Sequence, residues 1–272
     1  MSKGKPIEKT KEQIEKIRKS CQLVSATIAE VGRHIRPGVS TLYLDKIAET
    51  FIRDHGAVPA FKGYQFDPDV IPFPGSLCTS INEVVVHGIP SASAFLKEGD
   101  IISIDCGVVL DGYYGDSAYT FGVGEISAEK EKLLRVTKEA LNIAITQAKA
   151  GNRLGDLGYA VQSYVESFGF SVVRDMVGHG VGIRLHEPPD VPNYGRKGQG
   201  KQFQANWVIA IEPMVNIGRH EIALAKDNWT IFTKDKKPSA QFEHTVAIFN
   251  DHTEILTTFA EIEQLTNITI YG

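Results

Sequence analysis

The chain has 272 residues, a formal net charge of −4, and is 42% hydrophobic and 23% charged, the balance of a globular protein with one large domain or two ordinary ones. That charge argues against a general nucleic-acid binder, and no stretch approaches the roughly 18 uninterrupted apolar residues of a membrane span. Cys21, Cys78 and Cys106 are few, odd in number and without a CxxC pair. They argue against a disulfide framework, and are expected as small buried apolar residues in a reducing, cytoplasmic setting.

The N-terminus, Met1-Ser2-Lys3-Gly4-Lys5, is followed by no apolar core of the kind a signal peptide carries. Basic residues cluster locally at Lys3, Lys5, Lys9, Lys11, Lys16, Arg18 and Lys19. A solvated helix face accounts for that run, with an RNA or ribosome contact as the alternative. Residues 10–33 are expected as a helix, since Ile14, Ile17, Cys21, Val24, Ile28 and Val31 recur at helical spacing. After a Pro37-Gly38 break a second helix is expected over 41–55, with Thr41 as N-cap and Gly56 as the stop. Residues 101–109 and 113–121 flank Asp111-Gly112, a hairpin signal.

Residues 128–149 then repeat the first helical pattern and 156–168 the second. Adding 113 carries Gly38 to Gly151, Leu44 to Leu157, Ala48 to Val161, Phe51 to Tyr164, Ile52 to Val165 and Gly56 to Gly169. Two unrelated helix pairs with ordinary punctuation would also produce such a match. The preferred expectation is a single domain over 1–272 with an internal repeat, about 10–125 and 126–260, and a site at the seam. Residues 207–212 and 241–248 complete the expected strands. Helices and strands in separate runs indicate the α+β class.

A two-residue turn at Asp111-Gly112 places Asp105 opposite Ala118, and Asp116 is two residues from Ala118 on the same side. The two carboxylates are then diagonal neighbours. On a face also carrying Ile102, Ile104 and Tyr119, two like charges would repel and resist burial, which a shared divalent cation relieves. Solvent-facing aspartates on an exposed hairpin are the plainer alternative. Downstream, His179 stands among Gly178, Gly180 and Gly182, which permit unusual backbone angles and close approach to a ligand. Glu212 ends an apolar strand and Glu243 lies within another. Each is weak alone. Together, two Asp, one His and two Glu can hold two divalent ions, and the lack of cysteine argues against a closed structural zinc site.

Six stretches carry a resemblance: INEVVVHGIP (81–90), IISIDCGVVLDGYYGDSAYTF (101–121), GHGVGIRLHEPP (178–189), AIEPM (210–214), DNWT (227–230) and SAQFEHT (239–245), with PGVST (37–41) in the amphipathic N-terminal region. Over roughly residues 7–258 the chain resembles the type I methionine aminopeptidases of the bacterial form. Their pita-bread fold, shared with prolidases and creatinase, has two pseudo-twofold-related halves around a central antiparallel sheet.

The resemblance implies two divalent metal ions (cobalt, manganese, iron or zinc) and removal of the initiator methionine from nascent polypeptides with a small second residue. Asp105 would hold one metal, Asp116 and Glu243 would bridge both, and His179 and Glu212 would complete the other. Glu212 would also move protons around the attacking water. His87 and His186 would contact substrate rather than metal. Tyr64, Phe73, Cys78 and Trp229 are the candidates for the methionine pocket, with ordinary core packing as their alternative. The stretch 64–77 looks longer than the family's usual form, and Leu185 stands where Phe is common. Asn82, Val84 and Ser239 match positions that hold a monovalent cation (sodium or potassium). A monomer acting on nascent N-termini is expected, with no membrane and no specific nucleic acid. The rivals are a prolidase or Xaa-Pro aminopeptidase, and a binding protein of the same fold without metals.

Overall fold

The computed structural model describes residues 4–266. Lys3 of the basic cluster and the remaining ends of the expected 1–272 domain lie outside the described residues. In chain order the elements are α1 (Lys11–Gly32), α2 (Thr41–Asp54), β1 (Val58–Pro59), β2 (Leu77–Ile81), β3 (Val84–Val86), β4 (Ile101–Leu110), β5 (Tyr113–Gly122), α3 (Ala128–Gln147) and α4 (Leu154–Ser167). There follow β6 (Ser171–Val172), β7 (Gly178–Gly180), β8 (Glu187–Val191), β9 (Val208–Ile211), β10 (Met214–Asn216), β11 (Ile222–Leu224), β12 (Ile231–Thr233), β13 (Ser239–Gln241), β14 (His244–Ile248), β15 (Thr253–Ile255) and α5 (Ala260–Thr266).

Local chemistry sets the helix ends. Thr10 and Gln13 form a reciprocal capping box at the start of α1, with side-chain to main-chain bonds of 3.2 and 2.8 Å. The six apolar residues read from its spacing are all buried. Ser40, not Thr41, caps α2, accepting from the N–H of Tyr43 at 3.3 Å. Thr41 is instead buried, and its hydroxyl accepts the N–H of Ser91 at 2.9 Å. One residue further along, its side chain turns towards the neighbouring loop.

The second helix of each half repeats at the offset read from the sequence. Both α2 and α4 have 14 residues, starting at Thr41 and Leu154. Gly38 and Gly56 around one, and Gly151 and Gly169 around the other, all have positive φ, between 72° and 96°. Only glycine adopts that conformation without a steric cost. Each helix is followed by a two-residue strand, β1 on β4 and β6 on β10.

Strand β4 is the spine of the first half, with β1 and β2 on one edge and β5 on the other. The β4–β5 register runs from Ile101↔Gly122 to Leu110↔Tyr113, and Asp111 and Gly112 both have φ > 0, 51° and 80°, as a type I′ turn requires. In the second half β15-β14-β9-β7-β8 form one antiparallel sheet, beside the smaller groups β13-β10-β6 and β11-β12-β3. The expected strand 241–248 is divided: β13 stops at Gln241 and β14 begins at His244, with Glu243 bridging to Ala118 of β5. Hydrogen bonds sew this seam. Glu243 N donates to Ala118 O (2.9 Å), Ser117 Oγ to Glu243 O (2.6 Å), Thr120 Oγ1 to Gln241 O (2.6 Å) and Thr245 Oγ1 to Asp116 O (2.7 Å).

The register corrects one expectation. Ile104 pairs with Tyr119 and Ile102 with Phe121, so these residues occupy the face opposite Asp105 and Asp116, because side chains alternate along a strand. Their face joins the main core with α1 to α4. The aspartate face carries Ser103, Ala118 and Thr120 and turns towards β13. Among the described residues no helix is long and apolar enough to cross a membrane.

Helix α1 lies so close to β5 that a Cβ at Gly115 would sit 2.5 Å from the backbone nitrogen of Cys21 and 2.7 Å from the carbonyl carbon of Ser20. Gly115→Ala is therefore expected to destabilise the metal-free protein by about 1–3 kcal/mol. Urea unfolding should show a lower midpoint with an unchanged slope; an unchanged midpoint would mean that the contact relaxes freely.

Candidate metal centre and pocket

Strands of three sheets deliver the five expected ligand candidates to one place. Asp105 comes from β4, Asp116 from β5, His179 from the middle of β7, Glu212 from the residue after β9, and Glu243 from the gap between β13 and β14. Strand pairing dictates the convergence. His179 pairs with Ala210 on β9, Ile211 of β9 pairs with His244, and Glu243 pairs with Ala118 beside Asp116. All five are buried, none more than 8% exposed. This excludes solvent-facing aspartates on an open hairpin. His179 Nε2 is 3.8 Å from Asp116 Oδ2 and 3.7 Å from Glu212 Oε1. One ligand atom each from Asp116, His179 and Glu243 lie within 4.8 Å of one another.

The glycines around His179 also let neighbouring strands approach closely. A Cβ on Gly178 would lie 2.4 Å from the carbonyl oxygen of Ala210, and one on Gly180 would lie 2.5 Å from that of Pro188. They let β9 and β8 close on β7 from either side. Only Gly182 has positive φ, 133°.

The electrostatics are those of a cluster that calls for a counter-ion. Burial pushes Asp105 up to about 7, although Gln241 hydrogen-bonds to its charged form. Asp116, Glu212 and Glu243 are also held well above the usual carboxylate range, by burial first and then by their carboxylate neighbours. Burial lowers the pKa of His179, so its ring is neutral. Its Nδ1 lies 2.9 Å from the carbonyl oxygen of Gly180; that oxygen can only accept, so Nδ1 carries the proton and Nε2 presents a lone pair. Asp105 Oδ1, Asp116 Oδ1 and Glu243 Oε1 are buried without a hydrogen-bond partner, which is costly unless something cationic satisfies them. Oxygen-rich donors, one imidazole lone pair and no thiolate fit a divalent cation of the manganese, iron, cobalt or zinc type.

Two supporting residues escaped the sequence reading. Gln241 donates to Glu212 Oε2 at 3.1 Å, and Asn193 donates to the main-chain carbonyl of Glu212 at 3.0 Å. Gln241 lies within the SAQFEHT stretch, two residues before Glu243, and strand alternation places both on one face. Nothing local marks Asn193, which reaches Glu212 only through the packing of distant loops.

The cluster forms the floor of a cavity of about 550 Å³. All four expected pocket residues, Tyr64, Phe73, Cys78 and Trp229, line it. Phe73, Cys78 and Trp229 pack with Phe61 and Leu185 in one buried apolar cluster. Phe61, Phe66, Met176 and Ile231 are lining residues that no sequence signal singled out. The 64–77 stretch folds over the outer wall. Trp229 Nε1 donates to Ile71 O at 2.7 Å, and both Phe66 and Phe73 meet the Trp229 ring edge-on, at 5.0 and 5.2 Å.

His87 and His186 face the same cavity. His87 has φ of 59°, a conformation uncommon for a residue with a side chain. The next residue is locked to β2: Thr79 N donates to Gly88 O at 2.8 Å, and a Cβ on Gly88 would strike Thr79 O at 2.2 Å. Burial, then His179, lowers the pKa of His87 to about 4. His186 stands at the mouth, its outer edge open to solvent. The crowding walls, then His179 and His87, lower its pKa as well. The Tyr64 hydroxyl lies 2.7 Å from its Nδ1. Away from this cavity, Ser239 N donates to Asn82 O at 2.8 Å, and Val84 begins β3 two residues beyond Asn82. The Asn82 side chain is taken up by Asp100, Lys130 and the N–H of Ile101.

Residues 15–250 match the model of metallopeptidase family M24. The chain is 49% identical over 245 residues to a methionine aminopeptidase of Clostridium acetobutylicum, covering 90% of this chain and 96% of the relative. It is 49% identical over 249 residues to methionine aminopeptidase 1 of Bacillus subtilis, covering 92% and 98%. The crystal structure of methionine aminopeptidase from Rickettsia prowazekii superposes with a TM-score of 0.89 at 41% identity, covering 93% of this chain and all of that one.

The raised carboxylate pKa values predict a pH dependence. Without metal, the folded cluster holds protons that the unfolded chain releases above about 4. Its contribution to stability is present at low pH and is lost as pH rises, through about 7 for Asp105. Urea unfolding in excess chelator should show this fall, and Asp105→Asn should make it shallower. Saturating Mn(II) should abolish the fall, since the cation favours the ionised forms. Identical pH profiles with and without metal would contradict this account of the cluster.

Proposed function

The chain belongs to the methionine aminopeptidases of metallopeptidase family M24, and from that premise we propose that it removes the N-terminal methionine from nascent polypeptides whose second residue is small. The observation that carries the proposal is the juxtaposition of a buried, cation-seeking cluster with an apolar pocket walled by Phe61, Phe73, Cys78, Leu185 and Trp229. A cluster that anchors a free α-amine beside such a pocket suits one N-terminal apolar residue, and the adaptable methionine side chain fills irregular apolar space well. The Xaa-Pro hydrolase alternative is disfavoured, because the relatives sharing nearly half of all residues are methionine aminopeptidases.

In this reading Asp105, Asp116, His179, Glu212 and Glu243 would hold two divalent ions per chain. Bound divalent ions supply Lewis acidity, activating water and polarising the scissile carbonyl. Glu212 takes up and returns the proton of the attacking water; the amide of Gln241 on its Oε2 orients it and leaves Oε1 for that exchange. His87 and His186 donate to the substrate's amide and carbonyl as charge develops. Their depressed pKa values support this role, since a neutral imidazole donates a hydrogen bond without adding charge beside the cations. The whole chain acts as one catalytic unit, its halves at about 10–125 and 126–260 meeting at the metals. A monovalent cation at the Asn82, Val84 and Ser239 carbonyls belongs to the same proposal.

Two measurements test the assignment. Asp116→Ala should lose metal and activity together, whereas His87→Ala should keep most of its metal while kcat/KM falls by about 10²–10³. Equal metal loss in both variants would mean that His87 is misassigned. On a panel of short peptides, Met-Ala and norleucine-Ala should be cleaved at similar rates, because one methylene's worth of fit changes binding by only about 1–3 kcal/mol. Lys-Ala and Met-Leu should be poor substrates. Comparable rates for Lys-Ala and Met-Ala would show a general aminopeptidase.

A further inference from the structure

Lys9 belongs to the basic N-terminal cluster read as a solvated helix face, yet it is 3% exposed. It precedes the α1 N-cap, tied down by its own N–H to Asn206 O at 2.9 Å. Its ammonium reaches Glu187 Oε2 at 2.5 Å and Ile7 O at 3.0 Å. The other oxygen of Glu187 accepts the N–H groups of Ile183 and Arg184 at 2.7 and 2.8 Å. This carboxylate thus closes the backbone from Ile183 to Glu187 into a ring. The ring is clamped again by Gly182 N to Arg184 O and by Tyr114 N to Gly182 O. It carries Leu185 in the pocket wall and His186 at the pocket mouth.

We infer that Lys9 is a positioning residue: through Glu187 it holds the 183–187 turn that aims His186 and Leu185 into the pocket. A buried ion pair adds little to stability compared with an apolar pair of similar size, but losing one partner strands the other charge. Without Lys9, the buried Glu187 carboxylate must draw in water or a proton, and either competes with the two N–H bonds that shape the turn. A displacement of about 1 Å at a substrate-contacting group can lower turnover about 100-fold. Lys9 is thereby part of the site's geometry although it is not among the residues that line the cavity.

The inference rests on His186 touching substrate, and a double-mutant cycle separates the two ideas. The full-length protein loaded with Mn(II) would be assayed on a Met-Ala peptide as wild type, Lys9→Met, His186→Ala and the double variant, with metal content measured for each. Lys9→Met should lower kcat by about 10- to 100-fold with metal content retained. In the His186→Ala background the same change should cost less than about twofold, since both act through one ring. Lys9→Arg, which keeps the charge, should restore much of the loss. If Lys9→Met does not fold, Glu187→Gln enters the same cycle, because its single amide oxygen cannot accept from both Lys9 and the N–H groups of Ile183 and Arg184, so the link from Lys9 to the ring is broken. Equal losses in both backgrounds, an unchanged kcat or a loss of metal would overturn the positioning role. An inactive Lys9→Met beside a fully active His186→Ala would overturn the role of His186 instead.

Discussion

Four carboxylates and one imidazole are buried together with, among the described residues, no lysine or arginine lining their cavity, and the rest of the molecule is arranged around that constraint. Such a group is unfavourable by itself: the charges lose water and repel one another, and their pKa values climb until protons are retained. Holding it requires a frame that cannot relax. The long β4–β5 hairpin, packed on α1, supplies one wall, and the β9–β14 pair supplies the other. The hydroxyls of Ser117, Thr120 and Thr245 fasten the two walls backbone to side chain across the seam. A cation turns the same liability into affinity, since the pre-formed repulsion is what its charge removes.

The seam also explains why the acidic cluster and the apolar pocket share one cavity. Cys78 on β2 pairs directly with Asp105 on β4, so the sheet that carries a cluster carboxylate carries a pocket wall one strand away. Leu185 and His186 follow His179 on the turn between β7 and β8. His87 is held in its left-handed conformation by the β2 backbone beside it. Apolar and acidic surfaces thereby face each other across the same cleft. The 64–77 loop, hung from Trp229 by the bond to Ile71, adds Phe66 to the cleft's outer edge.

Much of this was legible in the sequence because it depends on local periodicity and on short spacings. The apolar rhythm of α1 and the Asp111-Gly112 turn with its register are properties of neighbouring residues, and the structure reproduces them. The diagonal placement of Asp105 and Asp116 followed from that turn alone. The choice of face did not. Ile102, Ile104 and Tyr119 lie opposite the aspartates, an outcome that strand alternation dictates once each residue is followed through the register. The cap of α2 moved one residue, to Ser40, because Thr41 found a partner in the loop at Ser91.

What the residues determined by themselves is therefore local: the helices, the β4–β5 hairpin with its turn, and the alternation that sets two aspartates on one side of it. What only the tertiary structure decided is how distant pieces meet. Asn193 and Gln241 converge on Glu212 from separate parts of the chain, and Phe61, Met176 and Ile231 become neighbours in a cavity wall. Lys9 shows the difference most clearly. By sequence it is one more cation in a basic run, and by structure it is the buried partner of Glu187, on the far side of the turn that carries His186. Long-range pairing leaves no trace in local spacing, because the free energy that selects it comes from burial and charge compensation between residues far apart in the chain.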